Sequence, residues 1–502
     1  MLNKYKRFRG GYLFKKPIGT FAEGIENAPV PAKVVIPLKL RFGSTVTLLV
    51  KKGDRVKAGQ VIARDDESVS APAIASVNGV IEDILQIDYF YGKVEAVVIR
   101  SNGEKGCIEI EGATRDHKDL SFEKISELLY ISGAASLGKS GIPTIFKSSP
   151  ARPRSIDNLI ITTFGTGPFS LDDKILFQAR GEDFYNGLSI LKRALPEIKA
   201  TIMMDKKDTG FIKEMIDVIR RGSPVTKTPD WIFIQPLEKR YPQESEDMLV
   251  RTILKKKIPL GGLGTDIGTL ILDIHDVLRV FEAVALGKPF IERTVAISGS
   301  ACKVNKYVNL RIGSLLNEVL EGNIKENVKP RVIFGNAMTG LVAKDLSMPV
   351  GRSIGHVTVL EENAERQFLT FLRPGFRQDS YSKTCVSSYV PSAKIKYDTN
   401  IHGEPRTCIQ CGFCEELCPV GIIPHILSKQ VGKNMCEGME KLGIFECIDC
   451  GLCSYVCPSK IALTYDIAKG RRILIEDGCP VPRVKVKESE EAVKSYRGRM
   501  PL

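Results

Sequence analysis

Apolar and polar residues alternate over residues 34–84 in short runs that glycines interrupt. Alternation with a period of two is typical of strands that bury one face, and glycines between such runs mark turns. The pattern predicts a small β domain within an N-terminal region of residues 1–115. The tract 292–371 is also rich in strand-forming residues and turn glycines, which predicts a second small, mixed β domain of the β-grasp type over 291–375.

The middle of the chain, residues 116–290, shows continuous apolar runs between helical segments. The runs are 158–164, 200–204 and 231–235, and the helical segments are 173–180, 212–220 and 274–286. Strands that are apolar on both faces and alternate with helices predict an α/β fold with a mostly parallel sheet. Ligands of such sheets bind beyond the carboxyl ends of the strands, so the turn Gly165-Thr166-Gly167-Pro168 after the first run is a candidate binding segment.

Cysteine usage sets the last part of the chain apart, because nine of the thirteen cysteines lie between Cys408 and Cys457. A disulfide-rich secreted protein would be short and would distribute its cysteines through the fold. A chain of 502 residues that gathers them in one segment indicates a metal site instead. We expect an α-helical metal-binding domain over 385–480 and a charged tail over 481–502.

Eight of these nine cysteines form two copies of the pattern C-x2-C-x2-C-x3-C-P, the spacing of bacterial two-cluster ferredoxins. In that ligation, three cysteines of one copy and the fourth cysteine of the other copy hold one [4Fe–4S] cluster. The first predicted set is Cys408, Cys411, Cys414 and Cys457, and the second is Cys447, Cys450, Cys453 and Cys418. Structural zinc sites need two well-separated cysteine pairs, so the contiguous run disfavours zinc.

The residues around these cysteines allow two further expectations. Pro419 and Pro458 follow the fourth cysteine of each copy and are expected to begin a helix there, since proline needs no N–H in the first turn. Gly412 and Gly451 occupy matching positions and are expected to let the backbone approach the clusters. Cys436 and Cys479 are spare thiols, expected to be buried, to which we assign no role.

The stretch 131–147 is rich in glycine and ends in Lys147. Glycines let backbone N–H groups converge on a phosphate, and a nearby lysine adds positive charge. The spacing departs from that of a Walker loop, however, and a plain turn is equally compatible with it.

The net charge of +13 favours acidic partners or a membrane surface. The basic residues are spread along the chain without aromatic interleaving, so we expect no nucleic-acid partner. We find no apolar window long enough for a membrane span and no apolar stretch of a signal peptide at the N-terminus. The expectation is a cytoplasmic protein, soluble or peripheral to the membrane.

The β region 34–84 resembles the small β-sandwich of biotinyl and lipoyl carrier domains, through Gly53-Asp54-Arg55-Val56 and Gly59-Gln60. Those carriers present a modified lysine in an exposed hairpin. Between Ala63 and Ser70 this chain has Arg64-Asp-Asp-Glu-Ser instead, without a lysine. The resemblance therefore implies a docking module and not a swinging arm.

Taken together, the motifs resemble the C-type subunit (RnfC) of the Rnf ferredoxin:NAD oxidoreductase complex over nearly the whole chain, with body features similar to the A-type subunit of sodium-pumping NADH:quinone oxidoreductase. Besides the cysteine motifs and the two β-region motifs, the residues that carry it are Gly141-Ile-Pro-Thr144, Tyr241-Pro-Gln243, Gly261-Gly-Leu263, Gly287-Lys-Pro-Phe-Ile-Glu-Arg293 and Cys453-Ser-Tyr-Val-Cys-Pro-Ser-Lys-Ile461. The resemblance implies a multidomain α/β protein: a carrier-like β-sandwich, a body like the flavin subunit of complex I, a small mixed β domain and a two-cluster ferredoxin domain.

The resemblance also implies where cofactors bind. Relatives cradle FMN in a glycine-rich loop, and the residues that match it here are Gly138, Gly141, Thr144 and Lys147, with Pro143 between them. A Gly-Ala-Glu segment helps those relatives to hold NADH. This chain has Gly165-Thr166-Gly167-Pro168 at that place, without the glutamate, which predicts weak or absent NADH oxidation.

The leading functional prediction is a peripheral subunit of an Rnf/Nqr-type ion-translocating complex at the cytoplasmic face of the membrane. It would relay electrons through its two [4Fe–4S] clusters between a cytoplasmic carrier, such as ferredoxin or another acidic protein, and the membrane subunits. Two alternatives stay open. One is an FMN-containing subunit that oxidises NADH, because flavin converts two-electron into one-electron transfer. The other is a soluble cobalamin reductase of the same fold.

Overall fold

The computed structural model describes residues 8–14, 20–38, 46–64, 72–90, 92–134, 156–223, 228–260, 262, 264–365 and 397–479. Its first element, β1 (Thr20–Asn27), leaves the N-terminal region to pair with a distant sheet. The next strands are β2 (Lys33–Pro37), β3 (Thr47–Leu48), β4 (Arg55–Val56), β5 (Val61–Arg64), β6 (Ala73–Ile74), β7 (Gly79–Tyr89) and β8 (Gly92–Ser101). They form the predicted β-sandwich.

The sandwich consists of two antiparallel sheets with strand orders β2-β8-β7-β4 and β3-β5-β6. Val34, Ile62 and Ile99 pack between them and are fully buried, as the alternating pattern requires. The segment 65–70, where carrier domains present their lysine, lies outside the described residues.

The body alternates helices and strands as predicted. Its elements are α1 (Phe122–Ile131), β9 (Asn158–Thr162), α2 (Lys174–Ala194), β10 (Lys199–Asp205), α3 (Thr209–Gly222), β11 (Ile232–Leu237), α4 (Glu246–Leu249), β12 (Thr269–Asp273) and α5 (Ile274–Ala285). Every strand pair in this sheet is parallel, in the order β11-β10-β9-β12. The chain order changes direction between β9 and β12, and ligands of open α/β sheets bind outside such a point.

The third domain is a mixed sheet in the described part of its predicted range. It contains β13 (Glu292–Ser298), β14 (Val304–Arg311), α6 (Leu316–Val319), β15 (Pro330–Phe334), β16 (Leu341–Val342) and β17 (His356–Glu361). The strand order is β1-β14-β13-β17-β15-β16, with β1 parallel to β14. The N-terminal region therefore contributes an edge strand to this domain, which the strand pattern did not predict.

The described part of the C-terminal domain is helical: α7 (Phe413–Glu416), α8 (Pro424–Gly432), α9 (Cys436–Lys441), α10 (Leu452–Val456) and α11 (Leu463–Glu476). The prediction that a helix begins at Pro419 and Pro458 is wrong, because the next helices begin five residues further on. The reason is a left-handed residue shortly after each fourth cysteine, Gly421 (φ 79°) and Lys460 (φ 55°), which no α-helix accommodates.

Nowhere in the described part of the chain does a helix have the length and apolar character needed to cross a bilayer.

Candidate metal centre

The eight motif cysteines surround two separate cavities in the C-terminal domain. Cys408, Cys411, Cys414 and Cys457 line the first cavity, and Cys418, Cys447, Cys450 and Cys453 line the second. Each cavity encloses about 330 Å³, counting the solvent space at its mouth. The fourth cysteine of each motif thus faces the cavity of the other motif, which is the crossed arrangement that the spacing predicts.

The two cysteine loops have the same backbone course. Gln410 and Asp449 are left-handed, with φ of 55° and 53°, and so are Gly412 and Gly451, with φ of 76° and 79°. Left-handed residues alternating with right-handed ones turn successive N–H groups toward one side of the chain, which forms a concave site for anionic groups. The glycines therefore stand where the sequence placed them, in a conformation that other residues seldom adopt.

The lining of both cavities fits an iron–sulfur cluster. Apart from the sulfurs, the first contains Ile409, Ile461 and Leu463, and the second contains Val420, Ile422, Leu452 and Ile467. Four thiolate donors in an apolar shell are what a [4Fe–4S] cubane requires, since the shell limits solvent access and tunes the potential. Burial raises the pKa of the Cys447 thiol to about 12 and that of Cys414 to about 11, so iron must displace protons when it binds.

The two cavities differ in their surroundings. Beside the first, Cys411 is exposed and Ile409 is 67% exposed, so this cavity lies at the surface. Beside the second, the buried side chain of Tyr241 comes from the body, and its hydroxyl donates a hydrogen bond of 2.6 Å to the Cys450 carbonyl. The second cavity therefore faces the body of the molecule, and the first faces outward.

The N-terminal segment 8–14 joins the body to the cluster domain. Tyr12 forms two backbone hydrogen bonds with Tyr241, of 2.9 and 2.8 Å, and the Gly11 N–H donates to the Leu417 carbonyl at 3.0 Å. The rings of Tyr12, Phe14, Tyr241 and Tyr455 pack edge to face, with centroids 5.0 to 5.6 Å apart. Sequence reasoning missed this contact, although aromatic residues so close to the N-terminus are a signal that could have prompted it.

Replacing Tyr241 with phenylalanine is expected to lower the midpoint potential of the cluster that Cys450 is predicted to ligate. The reduced cluster carries an extra negative charge, and the hydrogen bond from the Tyr241 hydroxyl stabilises that state because it offsets the partial negative charge of the Cys450 carbonyl oxygen. A hydrogen bond contributes about 0.5–1.5 kcal/mol, which corresponds to a shift of roughly 20–60 mV for a one-electron couple. An EPR-monitored redox titration measures this shift, with Tyr465→Phe, at a 62% exposed position, as control. Equal potentials in Tyr241→Phe and the wild type would contradict the assignment.

The two spare thiols, Cys436 and Cys479, were expected to be buried, but both are half-buried. The Cys436 sulfur lies 3.2 Å from the Asp477 carboxylate, and this carboxylate raises the pKa of the thiol. Neither side chain lines a cluster cavity, so they remain without an assigned role.

A third and much larger cavity lies where three domains meet, with about 1730 Å³ including its open mouth. Ile448 lines both this cavity and the second cluster cavity, so the two spaces are adjacent. Gly165 also lines it, whereas the space beside Gly167 is filled by Asn336. The predicted flavin residues Gly138, Gly141, Thr144 and Lys147 lie outside the described residues.

Four protein-family models match successive parts of the chain. The RnfC barrel sandwich hybrid domain matches residues 6–104, and the Nuo51 FMN-binding domain matches 130–282. The NQRA C-terminal domain matches 294–345, and a 4Fe-4S dicluster domain matches 407–461. The multidomain fold predicted from the sequence is therefore confirmed, and so is the prediction of two [4Fe–4S] clusters.

Full-length relatives give the same result. The C-type subunit of the proton-translocating ferredoxin:NAD(+) oxidoreductase complex of Clostridium ljungdahlii is 27% identical, over 84% of this chain and 84% of the relative. The C-type subunit of the Na(+)-translocating complex of Acetobacterium woodii is 26% identical, over 89% and 91%. The resemblance to the RnfC subunits is confirmed. The names of these relatives and the dicluster match agree with the predicted electron-transfer function.

Two further similarities are more partial. The C-type subunit of the ion-translocating oxidoreductase complex of Pseudomonas aeruginosa is 27% identical over 80% of this chain, which corresponds to 47% of that relative. Among solved structures, a chain of an NAD+-reducing [NiFe]-hydrogenase aligns with a TM-score of 0.42 and 12% identity, over 77% of this chain and 65% of the hydrogenase chain.

Proposed function

We propose that the chain relays electrons as the C-type subunit of an Rnf-like ion-translocating complex. Cys408, Cys411, Cys414 and Cys457 would hold one cluster, and Cys418, Cys447, Cys450 and Cys453 the other. The observation that carries this proposal is the grouping of the eight sulfurs around two apolar cavities, three from one motif and one from the other. When bound, the clusters supply one-electron transfer at low potential.

The surroundings of the two cavities support a path for electrons between the surface of the molecule and its body. The surface cavity, beside the exposed Ile409, is where a partner protein could approach a cluster closely. The inner cavity, lined by Cys418 and Cys450, shares Ile448 with the large interdomain cavity and therefore lies next to it. One cluster would therefore lie near the surface and the other near the body.

We also propose the partners and the location. The net charge of +13 favours an acidic carrier such as ferredoxin on one side. The membrane subunits of the complex, on its cytoplasmic face, would be the other partner. This assignment follows the names of the relatives, which are subunits of ion-translocating complexes.

A flavin-dependent role is the second candidate function, and the match of residues 130–282 to an FMN-binding domain favours it. FMN would bind at Gly138, Gly141, Thr144 and Lys147, with its phosphate on backbone N–H groups and its charge balanced by the lysine. With FMN bound, the chain would convert between two-electron and one-electron transfer.

Reduced two-cluster ferredoxin is expected to bleach the iron–sulfur absorbance of the anaerobically purified protein within a stopped-flow measurement. Because the partners carry opposite charge, the rate constant should fall as ionic strength rises. A triple variant, Cys408→Ala with Cys411→Ala and Cys414→Ala, lacks the surface cluster and serves as the control that should react slowly. Clusters that dithionite reduces but ferredoxin does not would contradict the relay.

A further inference from the structure

In each cluster cavity, a polar side chain other than cysteine approaches the sulfur of a predicted ligand. The His425 Nδ1 lies 3.6 Å from the Cys414 sulfur, and His425 lines the surface cavity. The Thr464 hydroxyl lies 3.4 Å from the Cys453 sulfur, and Thr464 lines the inner cavity. Sulfur is a larger atom than oxygen and accepts longer hydrogen bonds, so both contacts have the length of a hydrogen bond to sulfur.

His425 and Thr464 occupy equivalent positions in the two motifs. Each stands 11 positions after the third cysteine of its motif. Each is also the second residue of the helix that follows, His425 in α8 and Thr464 in α11. The repeat that supplies the cysteines therefore also supplies one helical position beside each cavity. The chain fills this position with an imidazole in one copy and with a hydroxyl in the other, so the two cavities differ chemically.

The state of the ligand sulfur decides which atom donates in these contacts. A cysteine sulfur that binds iron is a thiolate, which has no proton and can only accept. The His425 ring must then carry a proton on Nδ1, since only an N–H can donate to the Cys414 sulfur. The Thr464 hydroxyl must likewise direct its proton toward Cys453. Both contacts are therefore hydrogen bonds from the protein to a ligand sulfur when the cavities are filled.

Ser454 holds the Thr464 hydroxyl in the orientation that this requires. The Thr464 backbone N–H donates to the Ser454 hydroxyl at 2.9 Å, and the Ser454 hydroxyl donates to the Thr464 hydroxyl oxygen at 3.0 Å. Because this oxygen accepts from Ser454, its own proton is available to the Cys453 sulfur. The residue after Cys414 is Glu415, so the surface cavity has no counterpart of this serine.

Asp449 also lies close to a ligand sulfur, but it cannot act as a donor. Its carboxylate lies 3.8 Å from the Cys447 sulfur and accepts a hydrogen bond of 2.6 Å from the Arg471 guanidinium. A carboxylate has no proton to give to a thiolate. The contact with Cys447 therefore does not replace the hydrogen bond from Thr464.

We propose that His425 and Thr464 set the reduction potentials of the two clusters separately, His425 for the surface cluster and Thr464 for the inner one. A reduced cluster carries one more electron, and part of its charge lies on the sulfurs. A donor to a ligand sulfur thus stabilises the reduced state and raises the potential. Only the electron moves, and both side chains keep their protons in either state. The proposal rests on the proposed electron relay, because the two potentials decide which cluster holds a single electron.

The main test is an EPR-monitored redox titration of the holoprotein, which should show two one-electron reduction steps. His425→Leu and Thr464→Val remove the donors and keep most of the side-chain volume. Each should lower the equilibrium constant of one step by about tenfold, which is about 59 mV, and leave the other step unchanged. The triple variant at Cys408, Cys411 and Cys414 lacks the surface cluster and identifies the step of the inner one.

Conservative variants separate the hydrogen bonds from packing. His425→Asn places an amide nitrogen near the position of Nδ1, and Thr464→Ser keeps the hydroxyl, so both should have potentials close to those of the wild type. Tyr465→Phe removes a hydroxyl at a 62% exposed position beside Thr464, and as the matched control it should shift neither step. Equal shifts in the conservative and the apolar variants, or no shift in any variant, would overturn the proposal.

Ser454 provides a test that leaves His425 and Thr464 in place. Ser454→Ala removes the donor that orients Thr464, so the potential of the inner step should fall, but by less than in Thr464→Val. In the double variant it should add nothing to the effect of Thr464→Val, because Ser454 acts only through that hydroxyl. An inner step at the wild-type potential, or additive shifts, would show that Ser454 does not position Thr464.

The contact of His425 can also be observed without a substitution. In wild-type protein produced with isotope-labelled histidine, pulsed EPR of the reduced state should detect the labelled ring nitrogen beside a cluster. The same signal should be absent from His425→Leu. A wild-type spectrum without this coupling would remove His425 from the proposal, whether or not the leucine variant keeps its iron.

The two proposals fail in different ways. Potentials that respond to these substitutions, in clusters that reduced ferredoxin does not reduce, would refute the relay and leave the role of His425 and Thr464 intact. Normal reduction by ferredoxin, with potentials that no variant moves, would refute that role and leave the relay intact.

Discussion

Removing Cys418 together with Cys450 is expected to leave about four irons per chain, whereas removing Cys418 together with Cys411 is expected to leave almost none. Cys418 and Cys450 line the same cavity, so the first pair destroys one cluster and spares the other. Cys411 lines the other cavity, so the second pair damages both clusters. Iron and sulfide analysis of anaerobically purified Cys→Ala variants gives the answer directly.

This comparison separates crossed from uncrossed ligation, because Cys418 and Cys411 belong to the same sequence motif. If each motif held its own cluster, the Cys418 and Cys411 pair would be the one to retain four irons. Cys479→Ala is the control for iron lost during purification. Cys479 lies in the same domain without lining either cavity, so this variant should keep about eight irons.

The sequence predicts the parts of the fold that depend on local pattern. The run Asn158–Thr162 is mostly apolar, which is typical of a strand that helices cover on both faces. In the structure it is an inner strand of the parallel sheet. The crossed cysteine sets follow from spacing alone, because the ligation pattern of two-cluster ferredoxins is encoded within each motif. The dihedral angle of Lys460 is not encoded in this way, and so the helix after Cys457 was placed five residues too early.

The features that sequence reasoning missed are contacts between residues far apart in the chain. Tyr241 meets Tyr12 on one side and Cys450 on the other, across 229 and 209 positions. Strand β1 pairs with β14, which begins more than 280 residues later. No periodicity or spacing in a single sequence reports which distant residues will pack together. The same holds for Gly165 and Ile448, which come from different domains and line the same interdomain cavity.

NADH is expected to bleach the clusters of the isolated protein at least ~100-fold more slowly than reduced ferredoxin does, because the site lacks the partners that a dinucleotide needs. Gly165-Thr166-Gly167-Pro168 supplies no carboxylate for the ribose hydroxyls, and the space beside Gly167 is already filled by Asn336. Asp273 and Glu244 also line the cavity, and their carboxylates would repel the diphosphate.

The measurement is anaerobic stopped-flow absorbance with micromolar NADH, with dithionite to establish full bleaching. Asn336→Ala is an informative variant, because it opens the space beside Gly167 without supplying a carboxylate, and it should remain as slow as the wild type. Rapid bleaching of the wild type by NADH would favour the flavin-dependent role over the relay. Electrons would then enter through the interdomain cavity and reach the inner cluster past Ile448, so the surface cluster would be the exit toward the partner.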